Sequence, residues 1–207
     1  MDTFSRSLLL LFVLLNPFIM SVYLMELVKG LTFSYFARQL IRAGMISFTI
    51  FLLFAWTGDA VFENVMQVRF SSFLIFGGIT FLIAGIRLIL GVGPPIQALR
   101  PESGQVSAAI AMPFMVGPGT ISASVVIGSR LNFPMAASAI GLALLFSIAA
   151  ILLIKIFHDF FRNRNEPLVQ RYSEIAGRVT ALFVGSFAVE MIFTGIERWL
   201  TRLQGVG

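Results

Sequence analysis

The chain has 207 residues, 57% of them hydrophobic and only 12% charged, with a mean hydropathy of +0.91, whereas an ordinary soluble domain is about a quarter charged. That balance excludes a water-soluble globular domain and predicts a protein whose main partner is the lipid bilayer. The net charge of +5 does not predict nucleic-acid binding, because the 15 basic residues are scattered over connections and span ends, and the lack of cysteine rules out disulfides and thiolate chemistry.

Six apolar runs reach the roughly 17 to 25 residues that a helical crossing needs. The first lies near 7 to 28. Arg6 ahead of an apolar stretch resembles a signal peptide, but Pro17 interrupts the stretch, no small-x-small cleavage site follows, and apolar character resumes from Val22 to Leu27; it reads as an uncleaved span. Proline deletes a main-chain donor and clashes with the preceding turn, so Asn16-Pro17-Phe18 predicts either a kink, its freed groups met by neighbours and hydroxyls such as Ser21, or a break in the helix.

The second and third spans are expected near 39 to 58 and 70 to 91. Gly77 and Gly85 of the third share a face and are assigned to helix packing. Arg42 and Arg87 lie near span ends, where long side chains reach the headgroups. The following Gly91-Val92-Gly93-Pro94-Pro95 lacks the lysine of a phosphate-cradling loop.

The fourth span, near 106 to 128, carries the richest signal: Met112-Pro113-Phe114-Met115-Val116-Gly117-Pro118-Gly119-Thr120-Ile121-Ser122. Two prolines and two glycines in so short a stretch predict an interruption, with Thr120 and Ser122 opening a new helix. A helix that restarts inside a membrane aims free amides and a partial positive charge into the gap, which suits a carboxylate. Phe18 and Phe114 stand beside the two interruptions as gate candidates, but packing is the stronger reading for both.

The fifth span, near 134 to 156, has Ala137 and Gly141 at packing spacing, and Lys155 is expected to snorkel from its end. A polar connection at about 157–175 holds the single histidine, His158, which excludes an intramembrane zinc protease with paired histidines and a serine–histidine dyad within the spans. The sixth span, near 176 to 199, has Gly177, Ala181 and Gly185 at packing spacing and one carboxylate, Glu190. Buried and ionised, Glu190 would need a partner; it is either a proton-coupling group or lies close enough to the outer end for water to reach it. An enzyme is not expected, and no cofactor or metal is called for.

Lys29, Arg38, Arg42, Arg87, Arg100, Lys155, Arg162, Arg164, Arg171 and Arg178 fall on one side of the six spans, and Arg6, Arg69, Arg130, Arg198 and Arg202 on the other. The positive-inside rule then places the first side in the cytoplasm and both termini outside. Three spans per half means that any duplication is inverted. Asn16-Pro17-Phe18 echoes Met112-Pro113-Phe114, and Gly85-Ile86-Arg87 echoes Gly195-Ile196-Glu197. The predicted fold is an all-α polytopic membrane protein, a single transmembrane domain over 1–207. It comprises two inverted three-helix repeats, about 1–95 and 101–204, with the first and fourth helices broken mid-membrane.

On LLNPF at 14 to 18, FGGITFLIAGIRLI at 76 to 89, AMPFMVGPGTIS at 111 to 122 and GRVTALFVGSFAVEMIFTGI at 177 to 196, the chain resembles the MarC family of six-span inner-membrane proteins of bacteria and archaea. It departs from that pattern at Val116, where the family has alanine, and after Pro17, where Ile19-Met20-Ser21-Val22 replaces a Gly-Asn-Ile-Pro stretch. The resemblance implies an inverted-repeat carrier of small neutral amino acids such as glycine or alanine, with Asn16, Pro17, Gly117, Pro118, Gly119 and Thr120 at the binding site. Ser122 joins them from the sequence reading, and a proton or sodium ion is the candidate coupling ion. The rivals are a non-transporting scaffold or lipid-interacting protein, and a passive channel, which ranks last because no span carries a continuous polar stripe.

Overall fold

The computed structural model describes residues 2–17, 20–21, 24–58, 60–62, 67–90, 106–162 and 166–203. Among them regular structure is entirely helical. In chain order the helices are α1 (Thr3–Leu15), α2 (Met25–Gly30), α3 (Phe33–Thr57), α4 (Phe70–Ile89), α5 (Val106–Ile110), α6 (Pro118–Arg130), α7 (Phe133–Arg162) and α8 (Glu166–Leu203). Segments Phe33–Thr57, Phe70–Arg87 and Phe133–Phe160 are long and apolar enough to cross a bilayer, and α1 is a shorter apolar helix. The protein is a helical membrane protein.

Helices extend past the lipid-length runs in the sequence, because hydropathy marks where hydrocarbon lies and not where backbone hydrogen bonding stops. α3 begins at Phe33, ahead of the expected start at 39, and α7 continues through Lys155 and His158 to Arg162. α8 starts at Glu166, with Pro167 in its first turn, where a missing amide costs nothing. The polar connection expected at 157–175 is therefore mostly helix.

Helical geometry is left at three described residues that each precede a proline: Asn16 at φ 37°, ψ 83°, Met112 at φ −117°, ψ 125°, and Gly117 at φ −128°, ψ 171°. The proline ring disfavours the α region for the preceding residue, which gives each departure a local cause. Between α5 and Gly117 the chain makes a wide turn over Ala111–Met115, closed by the Val116 amide donating to the Ala111 carbonyl at 2.8 Å. Phe18, Ile19 and the segment 91–105, including the expected glycine-proline loop, lie outside the described residues.

Buried positions recur at a fixed spacing. On α3, Phe36, Leu40, Ala43, Ser47, Phe51 and Ala55 are buried, and so on α7 are Ala136, Ile140, Ala143, Ser147, Ile151 and Lys155, each numbered one hundred higher. Leu11, Leu15, Met20, Leu24 and Leu27 match Ala111, Met115, Thr120, Ser124 and Ile127 in the same way. α3 and α7 run antiparallel, since a Cβ on Gly44 would touch Ile148 and one on Gly141 would lie 3.4 Å from Phe48. α1 packs along α7, and α6 along α3.

α4 and α8 form a second antiparallel pair joined by small residues. A Cβ on Gly85 would lie 3.2 Å from the Gly185 amide nitrogen and 3.3 Å from the Ala181 carbonyl; one on Gly195 would lie 2.9 Å from the Ser71 carbonyl. Gly78 faces Ala188 and Ile192 between them. Close backbone approach of this kind lets dispersion hold helices together in lipid, where no hydrophobic drive between them exists.

Candidate functional site

The start of α6 is built by its own residues. Four amides at a helix N-terminus have no intrahelical acceptor. Here Pro118 has none to offer, and the Gly117 amide donates to Thr120 Oγ1 at 2.9 Å. The single proton of that hydroxyl serves the Met115 or the Gly117 carbonyl, each 2.9 Å away. Thr120, 5% exposed, thus ties Met115 to the head of α6, where the amides of Gly119 and Thr120 have no intrahelical acceptor. The first helical bond runs from the Ile121 amide to the Gly117 carbonyl at 2.9 Å. Ser122 is half-buried on the first turn.

Three other elements converge here. A Cβ on Gly119 would meet Met191 Sδ of α8 at 3.5 Å and Leu14 Cδ2 of α1 at 3.9 Å. A Cβ on Gly77 of α4 would overlap the Pro118 ring and lie 3.2 Å from Met191 Cε. From α3, Ser47 Oγ donates to the Ala43 carbonyl at 2.9 Å and lies 3.4 Å from Met115 Sδ. Leu14 stands two positions before Asn16, so the end of α1 and the start of α6 face one another.

Of the residues singled out from the sequence, Gly117, Pro118, Gly119 and Thr120 form one constellation at the head of α6, with Ser122 on its first turn. Asn16, half-buried, and buried Pro17 sit at the end of α1. The Asn16 amide donates to the Phe12 carbonyl at 3.1 Å and its carbonyl accepts from Met20 at 3.0 Å. Pro17 has no amide to offer the Val13 carbonyl. Glu190 is exposed on α8, beside Met191 in sequence but on another face of the helix. Exposed and buried positions of α4 and α8 match at a second fixed spacing, with Ser71, Leu74, Gly78 and Gly85 against Ala181, Val184, Ala188 and Gly195, and this puts Thr80 in Glu190's place.

Four residues acquire significance only from the structure. Gly77, expected to serve helix packing, is the seat of Pro118. Met191 is 9% exposed and fills the space beside Gly119. Ser147 Oγ is buried with no hydrogen-bond partner, whereas Ser47, one hundred residues earlier, has one. Lys155 does not snorkel as expected: it is 2% exposed, held by main-chain carbonyls of another helix. A buried carboxylate or amine beside a proline or glycine motif can be guessed from sequence; a glycine's neighbour cannot.

A model of the MarC family of integral membrane proteins matches residues 1–200. A "UPF0056 membrane protein" of Archaeoglobus fulgidus is 28% identical over 173 residues, 79% of this chain and 78% of its own. Proteins of the same description from Pyrococcus horikoshii and Aquifex aeolicus are each 22% identical, the former over 75% of this chain and 74% of its own, the latter over 95% and 94%. No solved structure matches the chain.

Proposed function

The chain belongs to the MarC family of integral membrane proteins, and from that premise we propose that it is a secondary transporter or exporter of small neutral amino acids of the glycine and alanine class, not an enzyme. It sits in the inner membrane with both termini outside, as two inverted three-helix repeats whose first helices are interrupted mid-membrane. The substrate carboxylate is taken by the Gly119 and Thr120 amides at the positive end of α6, and its ammonium by carbonyls at the end of α1 around Asn16 and Pro17. Glu190 loads the coupling proton.

The observation that supports this reading is the approach of Gly119, at the head of α6, to Leu14, near the end of α1. The repeat is supported by reciprocity: Gly85 rests on Ala181 and Gly185, while Gly195 rests on Ser71 and Ile75, and matching helices pair antiparallel. A two-fold axis in the membrane plane requires that arrangement.

Thermal unfolding of the purified protein with each amino acid in turn tests it, since a ligand that binds the folded state alone raises its apparent stability. Glycine or alanine is expected to raise Tm in a saturable way, and Gly119→Leu to abolish the rise. A flat response to every amino acid favours the scaffold reading.

A further inference from the structure

Lys155 is a buried cation outside the site described above, and all three of its ammonium protons are committed. Nζ donates to the Val28 carbonyl at 2.6 Å and the Leu31 carbonyl at 2.9 Å, and it lies 2.9 Å from Asp159 Oδ2. Val28 and Leu31 close the C-terminal end of α2, where unpaired carbonyls and the helix dipole favour a cation. His158, also buried, faces the same carboxylate, its Nδ1 3.4 Å from Asp159 Oδ1. The lysine thus adds polar contacts that fasten α7 to α2.

The junction one hundred residues away in each element is closed differently. Ala55 stands for Lys155 and Gly128 for Val28, and there Gly128 of α6 lies so close to the Ala55 carbonyl of α3 that a Cβ would collide with it. One contact is backbone against backbone; the other is an ammonium held by oxygens. With the orientation proposed above, the lysine contact is at the cytoplasmic end and the glycine contact at the outer end.

We propose that Lys155 is a positioning residue that acts as a one-sided latch, holding the cytoplasmic end of the substrate path shut. The inference rests on the carrier reading. Separating α2 from α7 exchanges the lysine's carbonyl and carboxylate partners for water, which the polar junction admits. The contact of Gly128 with the Ala55 carbonyl itself offers water no side-chain charge to solvate. The two ends of a duplicated fold therefore open by different physics, and the ammonium sets how often the inner one does.

The chain has no cysteine, so single reporters need no altered background. Leu24 and Ser124 are matching positions, each 0% exposed and one turn before Val28 and Gly128. Labelling of Leu24→Cys and Ser124→Cys by an impermeant maleimide, added to either face of oriented vesicles, reads the two ends separately. Lys155→Met is expected to raise labelling of Leu24→Cys from the cytoplasmic face by roughly tenfold, the scale of a lost charge-assisted hydrogen bond. Ser124→Cys labelling from outside stays unchanged, and Lys155→Arg restores protection. The Lys155→Met/Asp159→Asn pair, which removes both charges, gives the same one-sided rise and decides the matter if Lys155→Met alone fails to fold. An equal rise at both reporters, or none at Leu24→Cys, overturns the latch. Should labelling shift as expected while neither glycine nor alanine crosses the bilayer, the latch survives and the carrier reading falls.

Discussion

The Pro118 ring occupies the space in which a side chain on Gly77 would begin. The contact joins α4 to the head of α6, so the position of the Gly119 and Thr120 amides depends on a residue remote in sequence that has no side chain.

Gly77→Ala is therefore expected to destabilise, by about 1–3 kcal/mol of overpacking, although alanine favours a helix over glycine by about 1 kcal/mol. Gly185→Ala is the control, because nothing lies within 4 Å of its Cβ direction. There the propensity gain acts alone and Tm should rise. Denaturation of the two variants in one detergent measures the difference in sign.

Thr120→Val keeps the shape of the side chain and removes its hydroxyl. The Gly117 amide and the Met115 carbonyl lose their partner inside the protein, and leaving buried polar groups unpaired costs about 1–3 kcal/mol. Thr120→Ser should retain most of the stability. Equal stability of the valine and serine variants would contradict the bridging role.

Asn16 adopts a left-handed conformation, which costs residues with a Cβ roughly 1–2 kcal/mol and glycine nothing. Asn16→Gly should thus melt above Asn16→Ala. If alanine is the better tolerated, the left-handed backbone does not govern the stability of this position.

Ser147 and Ser47 should respond oppositely to the same substitution. Ser147→Ala deletes an unpartnered buried hydroxyl and is expected to be neutral or stabilising; Ser47→Ala deletes a hydroxyl bonded to Ala43 and should cost about 1 kcal/mol. Parallel melting curves check both.

The non-helical backbone at Asn16 and Gly117 follows from a local cause that sequence carries: a proline acts on the residue before it. Which residues meet across helices was not, because that depends on rotation about each helix axis. Gly77 therefore reads as packing, and Lys155, close to a span end, reads as a snorkelling side chain until the carbonyls of Val28 and Leu31 are placed beside it. The Pro-Phe echo pairs Pro17 with Pro113, but matching burial pairs it with Gly117. The two alignments differ by about one helical turn, which leaves a residue on nearly the same face and makes such echoes insensitive to register.

On the function proposed, the ends of α1 and α6 hold a small zwitterion that the protein carries across the membrane. Exchange of labelled glycine or alanine by proteoliposomes containing the purified chain tests it most directly. The account predicts that label enters vesicles preloaded with the same unlabelled amino acid, and that Gly119→Leu, which fills the space before Met191 and Leu14, abolishes entry while the protein remains folded. No entry with folded wild-type protein, or full entry with Gly119→Leu, would contradict it.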